Sequence, residues 1–416
     1  MAETGSNTAG AHVAIGPNSL ALVDFILEWE RGGVAHRTEK RHRRINLWRD
    51  FFPAGLDEAL SGARAGDIVT IDCPPGSLVP DHVASDVFEI PLSAFRAELL
   101  PGTRVAPDFG RFFPRGVLEG VRGTFRQDRR PFRCLDLAEG RLTVDFNHSF
   151  AGIAARLSVH VLGVAEQADD VGGRSTDWAR EVTDGPGIEA RANGLPTDFF
   201  YDGAFERVAE DDDAVFYAKP RMTVHLDSAA LGLVTDLYRQ QLGDGMAVLD
   251  LMASLHSHLP EERALRRVAG LGLNEAELAA NGRLTDYVVH DLNARPALPY
   301  DDGEFDAVVS TVSVEYLTDP IAVIGDAGRV LKPGGTLALT FSHRWFPPKV
   351  IAVWREVHPF ERIGLVAEYV LRTGLFEEVR TLSIEGLPRP ADDPYAASEA
   401  HSDPVFAVVA RRGGGH

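Results

Sequence analysis

The sequence predicts two units in one chain: a doubly wound α/β unit in the C-terminal half and a β-rich α+β unit in the N-terminal half. Three observations predict this. Apolar runs recur at nearly even intervals from Ala247 onward, whereas the N-terminal half strings β-rich runs, broken by Gly and Pro, around one short helix. Charge is also unequally divided, with 19 Lys+Arg against 20 Asp+Glu over residues 1–164 and 23 against 41 over the remainder. With 416 residues, each unit is long enough to bury its own core.

The α/β pattern opens with "AVLDL" at Ala247 and continues with "RVAGLGL" from Arg267, "DYVVHDL" from Asp286, "FDAVVSTVSV" from Phe305 and "TLALTFS" from Thr336. Continuous apolar runs of this kind mark strands covered on both faces, and the spacing leaves room for a crossover helix or long loop between parallel neighbours. One helix is placed by its ends. Asp319 is an N-cap residue, Pro320 suits the first helical position, and Ile321, Ile324, Ala327, Val330 and Leu331 follow at helical spacing. Lys332-Pro333-Gly334-Gly335 then stops it and turns the chain into the next strand. Upstream, "SAALGLVTDLYRQQL" reads as a helix capped by Asp227.

These residues resemble the class I S-adenosylmethionine-dependent methyltransferases. The parallels are "VLDL" for the first strand, "VVHDLN" for the third, "LPYDDGEFDAVVSTVSVEYL" for the fourth and "RVLKPGG" before the fifth, spanning roughly residues 215–385. The resemblance implies a Rossmann-like fold with S-adenosyl-L-methionine bound at the carboxyl ends of the strands. It places the methionine part of the cofactor at Asp250, Met252 and Ser254, the adenine at Asp291 and Leu292, and the far wall at Val312. Two departures stand out. The usual glycine-rich turn after the first strand is replaced by "MASLHSH", and after the second strand Asn274 is left to bond the ribose hydroxyls. S-adenosylmethionine carries no phosphate, so a nest of backbone donors is less essential than for a dinucleotide, and the site reads as rebuilt.

Within "FYAKPRMTVHLD", Arg221 is a candidate for the cofactor carboxylate and His225 for substrate contact, in a segment that also reads simply as a helix N-terminus. "FSHRWFPPK", at the end of the fifth strand, offers His343, Arg344, Trp345 and Phe346 for the acceptor pocket. Methyl transfer from a sulfonium requires acceptor and methyl held at attack distance, with a base if the nucleophile is protonated. Imidazole titrates near neutrality, so His343 first, then His256 and His258, are the catalytic candidates.

In the N-terminal half, "LALVDFILEWE" from Leu20 is strand-like and "FPAGLDEALSGA" from Phe52 is helical. Two ordered stretches, "NLWRDFFPAGLDEALSGARAGDIVTIDCPP" and "LAEGRLTVDFNHSFAGIAARLSVHVLGV", resemble the FK506-binding-protein prolyl isomerases, in particular their SlyD-type chaperone branch with an inserted flap. The resemblance implies a flap that grips unfolded polypeptide, and an aromatic pocket for which Phe25, Trp48, Phe51, Phe52 and Phe150 are available, each equally suited to the core. His36 and Arg37 stand where that family carries an acidic residue.

The expected organisation is a flexible tail at 1–18, an FKBP-like unit at 19–164 with its insert at about 87–135, a linker or strap at 165–200, and a methyltransferase-like unit at 201–412. Net charge of −19 counts against nucleic-acid binding, and no apolar run approaches the roughly 20 residues that span a bilayer. Without a basic segment followed by an apolar one at the N-terminus, the expected location is the cytoplasm. Cys73 and Cys134 lack metal-ligand spacing and read as reduced core thiols, and no metal is expected. The function expected is methyl transfer to a small-molecule or peptide acceptor, with the FKBP-like unit assisting substrate binding or homo-oligomerisation. The alternative is a peptide-binding chaperone or prolyl isomerase whose methyltransferase fold is not catalytic.

Overall fold

A computed structural model describes residues 13–99, 105–166 and 173–414. Residues 1–12 of the expected tail and 167–172 of the expected strap lie outside the described residues. The chain begins with a long hairpin, β1 (Ser19–Arg31) and β2 (Val34–Ile45), turned at Gly32 and Gly33, both at positive φ as a two-residue hairpin requires. A short helix α1 (Leu56–Leu60) and β3 (Ile68–Cys73) follow. Then come β4 (Val87–Pro91), β5 (Phe112–Pro114), β6 (Pro131–Ala138) and β7 (Arg141–Asp145), which form a separate sheet in the order β4-β7-β6-β5. β8 (Ala155–Glu166) returns to pair with β1 and β3. The small sheet runs ten residues past the expected end at 135, because Glu139 and Gly140, both at positive φ, reverse the chain and add β7 between β6 and β4.

The described part of the strap, residues 173–200, is packed and not loose. Its α2 (Trp178–Thr183) stacks Trp178 on Phe25 at 5.3 Å, and the indole Nε1 donates to buried Asp50 at 3.1 Å. The C-terminal unit follows: α3 (Asp213–Phe216), α4 (Ser228–Gln241), β9 (Ala247–Leu251), β10 (Arg267–Gly272), α5 (Glu275–Ala280), β11 (Asp286–Val289), β12 (Phe305–Thr311) and α6 (Pro320–Val330). It closes with β13 (Leu331–Phe341), α7 (Ala352–Glu356), α8 (Pro359–Arg372), β14 (Phe376–Glu385) and β15 (Val405–Arg412). Both caps anticipated from the sequence are made: Asp227 accepts from Ala229 and Ala230 N–H at 3.0 Å, and Asp319 accepts from Ala322 N–H at 3.1 Å.

The two units share one eleven-stranded sheet, ordered β11-β10-β9-β12-β13-β15-β14-β2-β1-β8-β3. β11 to β13 run parallel, β15 is antiparallel between β13 and β14, and β14 joins β2 in parallel, Arg380 opposite Ala35 through Glu385 opposite Lys40. Buried polar side chains tie this junction, with His36 Nδ1 2.8 Å from Thr381 Oγ1 and Ser383 Oγ donating to Thr38 at 3.0 Å. The inserted sheet docks on α8 as well: Glu361 accepts from Phe112 N–H at 2.8 Å and Arg111 Nε at 3.3 Å, all three residues being buried.

Within the parallel half the strand order reverses at β9, which has β10 on one side and β12 on the other. A crevice at the carboxyl ends of the strands is the physical consequence, because the chain leaves β9 and β12 in opposite directions. β9 is buried along its whole length. Residues 252–266, between β9 and β10, contain no helix and fold as a loop over this crevice.

Candidate active site

The crevice is a cavity of about 1180 Å³, its open mouth included, walled by the ends of β9 to β12 and by residues 213–226. Three non-glycine residues on its wall hold left-handed backbone conformations: Met252 (φ 61°), His258 (φ 53°) and Val312 (φ 43°). Such conformations cost of order 1–3 kcal/mol each and persist only where the surroundings over-determine them. They explain how the turn after β9 dispenses with glycine. Met252 adopts the conformation a glycine would have supplied, and close approach is provided instead by Gly272, since Ala253 O occupies the space a Cβ there would need.

Asp250, at the inner end of β9, is buried and its Oδ2 has no hydrogen-bond partner. Burial pushes its carboxyl up to about 7, against a hydrogen bond from Ser257. A buried carboxylate facing a cavity with one oxygen unsatisfied is suited to a cationic ligand group. Across the cavity, Glu277 reaches back from the first turn of α5, accepting from Arg221 N–H at 2.6 Å and from Ser254 Oγ. The sequence pattern does not single out Glu277, since the acidic residue is expected at the strand end itself.

Asn274 is occupied otherwise than expected. It caps α5 through Oδ1 to Glu277 N–H at 3.1 Å, and its Nδ2 donates to the carbonyls of Tyr217 and Ala218 at 2.8 and 3.2 Å. The amide therefore fastens the 213–226 segment over the cavity. The other end of that segment is fastened by Asp213, which is buried and bonds Asn293 Nδ2 at 2.8 Å, Arg207 at 2.7 Å and the fully buried Lys349 at 2.9 Å.

Arg221, His225, Asp250, Met252, Ser254, His256, His258, Asn274, Asp291, Leu292, Val312 and Phe346 all line the cavity. His343, Arg344 and Trp345 do not. The chain turns outward after β13, where Ser342 Oγ donates to Pro404 O at 2.6 Å; His343 Nε2 then lies 3.7 Å from Asp403, Arg344 pairs with Asp403 at 3.2 Å, and Trp345 lies 4.4 Å beneath Arg362. His343, expected as the base, therefore stands off the cavity, whose wall carries His256 and His258 together with His225 and His290, the last without a sequence signal. Burial, reinforced by His256 and His225, pushes His258 down to about 4, and burial lowers His225 as well. Both rings are neutral at physiological pH, and burial disfavours their protonated forms.

Residues 253–339, which span the loop over the cavity and β10 to β13, match the family described as a methyltransferase domain. This stretch of the C-terminal half is thus similar to methyltransferase domains. An uncharacterised protein of Mycobacterium tuberculosis is 31% identical over 127 residues, covering 28% of this chain and 45% of that one. The 27-O-demethylrifamycin SV methyltransferase of Amycolatopsis mediterranei is 38% identical over 78 residues, covering 17% of this chain and 29% of that enzyme. The chain thus spans less than half the length of these curated relatives. A solved Haloferax volcanii methyltransferase, in complex with the Trm112 activator, aligns at 20% identity and a TM-score of 0.35 over 45% of this chain and 91% of its own. No helix among the described residues is long and apolar enough to cross a membrane.

Proposed function

We propose that the chain transfers a methyl group from S-adenosylmethionine to a small-molecule or peptide acceptor. The observation that carries this reading is Asp250, a buried carboxyl with an unsatisfied oxygen at the inner end of β9, on a wall where three strained residues converge. Its free oxygen suits the cofactor's ammonium group, Arg221 its carboxylate, Glu277 the ribose hydroxyls, and Asp291 with Leu292 the adenine. When bound, the cofactor supplies an electrophilic methyl group on a sulfonium. The chain's contribution is to align the acceptor and to take its proton on a wall imidazole, with His258 and His256 the candidates. Calorimetry with S-adenosylhomocysteine tests this: binding in the micromolar range or tighter is expected, weakened at least tenfold by Asp250→Asn, and absence of binding would overturn the reading.

The N-terminal unit is proposed to be an FK506-binding-protein-like fold acting as a scaffold. Its antiparallel β2-β1-β8-β3 sheet with one short helix and a four-stranded insert supports the resemblance. Phe25 and Phe150 are buried in its core, and Trp178 of the strap packs on Phe25, His42 and Phe52, so these aromatics form no open pocket. Trp48 and Phe51 are exposed. With the insert clamped to α8, the unit is expected to leave a proline-containing test peptide unisomerised; turnover of that peptide would contradict the scaffold role.

A further inference from the structure

The guanidinium of Arg221 sits inside a cage of three aromatic rings, 4.8 Å from the centroid of Phe216, 5.1 Å from Tyr217 and 4.9 Å from Phe346. The rings brace one another edge to face: Phe216 against Tyr217 at 4.8 Å, and each against Phe346 at 6.2 and 6.4 Å. Phe346 is further held by stacking on Tyr316 at 6.0 Å and by its N–H donating to the Tyr316 hydroxyl at 2.8 Å. The rings of the cage are thus packed on one another, and Tyr217 and Phe346 line the cavity while Phe216 stands behind them.

Its present occupant is weakly tied. Nη2 makes one long bond to Phe216 O at 3.4 Å, and Nη1 is buried without a partner. The firm attachment of Arg221 is through its backbone, to Glu277. The side chain can leave while the segment stays fastened, and an outward swing relieves the unsatisfied Nη1. Rings at this distance favour any compact cation, most strongly a desolvated one.

A second feature selects for cations from outside. A groove of about 1170 Å³ adjoins the cavity and shares Asp213, Asp291 and Asn293 with it. Its wall carries Glu206, Glu210, Asp211, Asp212, Asp213 and Asp291, with Arg207 on the wall and the buried Lys349 behind Asp211 and Asp213 as the cations that pair with them, so acidic groups stay in excess. Clefts lined by one sign of charge raise the local concentration of the opposite ion.

We infer that the Phe216, Tyr217 and Phe346 cage is the acceptor subsite, that its ligand is an amine entering along the acidic groove, and that Arg221 is an internal stand-in displaced when acceptor and cofactor bind. This rests on the methyl-transfer reading above. In the step it implies, the acceptor nitrogen gives up an N–H proton to a wall imidazole. Its lone pair then forms the new N–CH3 bond as the S–CH3 bond breaks, and that bonding pair stays on sulfur as the neutral thioether.

The test uses the full chain saturated with S-adenosylhomocysteine, titrated with choline and with its uncharged carbon isostere 3,3-dimethylbutan-1-ol. Choline is expected to bind at least tenfold more tightly. Phe346→Leu should bring the two within about twofold while S-adenosylhomocysteine binding persists, which also reports an intact fold; Phe216→Leu should act in the same direction. Arg221→Ala should strengthen choline binding several-fold while weakening S-adenosylhomocysteine. Equal binding of the two probes, or weaker choline binding by Arg221→Ala, overturns the inference. Loss of S-adenosylmethionine but not S-adenosylhomocysteine affinity in Phe346→Leu also overturns it, since the rings would then hold the sulfonium. If S-adenosylhomocysteine binds but the charge preference is absent, only this inference fails; if it does not bind, the methyl-transfer reading fails with it.

Discussion

The carbonyl of Ala253 fills the space that a side chain on Gly272 would need, and the N–H of Ala253 donates to Leu271 O at 2.7 Å. The turn after β9 is thus pressed onto the end of β10 by a backbone contact. Gly272→Ala must push one of the two apart, at a cost of about 1–3 kcal/mol for an overpacked site. Loss of that stability in urea denaturation is expected, together with weakened S-adenosylhomocysteine binding. Unchanged stability would show that the turn has slack.

Met252 carries a left-handed backbone on a flexible, unbranched side chain. Met252→Gly should relieve the strain while losing some packing, leaving stability within about 1 kcal/mol of the parent. Met252→Val puts a β-branched residue in the same conformation and should lower stability by about 1–3 kcal/mol. Thermal denaturation of the two variants side by side checks the order.

Much of this site was legible in the sequence, and what was not has physical causes. The alternation of strands and helices follows from apolar runs and the caps Asp227 and Asp319, which are local signals. Twelve anticipated residues reach the cavity, nine of them because strand ends and their following turns point there in any open α/β sheet, and Arg221, His225 and Phe346 because the segment before α4 and the loop after β13 fold over it. His343, Arg344 and Trp345 were misplaced because the direction of the chain after β13 is set by Pro404 and Asp403, about sixty residues away in sequence. Glu277 carries no such signal, because it projects from a helix turn and not from the strand end. The junction of β14 with β2 carries no local signature, since parallel pairing across some 345 residues depends on side chains such as His36 and Thr381 meeting in the fold.

That junction and the insert contact make the two units mechanically one. Glu361 is the buried partner of Arg111, and Glu361→Ala would leave the guanidinium without its counter-charge. Removing one member of such a pair costs about 3–5 kcal/mol. A lower denaturation midpoint, read with both tryptophan fluorescence and circular dichroism, is expected to move by the same amount with each probe; separate transitions would indicate that the units unfold independently.

Cofactor affinity should depend on pH through Asp250. Its carboxyl is raised to about 7 by burial, so it is largely protonated at pH 6 and largely ionised at pH 8. Only the ionised form pairs with an ammonium group. S-adenosylhomocysteine affinity is therefore expected to rise with pH across this window and to flatten in Asp250→Asn, as calorimetry at a series of pH values would show.

The most direct test of a working cofactor site is a crystal structure of the full chain grown with S-adenosylhomocysteine. The expected result is the adenosyl group lying along the ends of β9 to β11, with its amino group on Asp250 Oδ2 and Glu277 at the ribose. A cavity closed by Met252 and Leu255, with no ligand density at millimolar S-adenosylhomocysteine, would contradict the account.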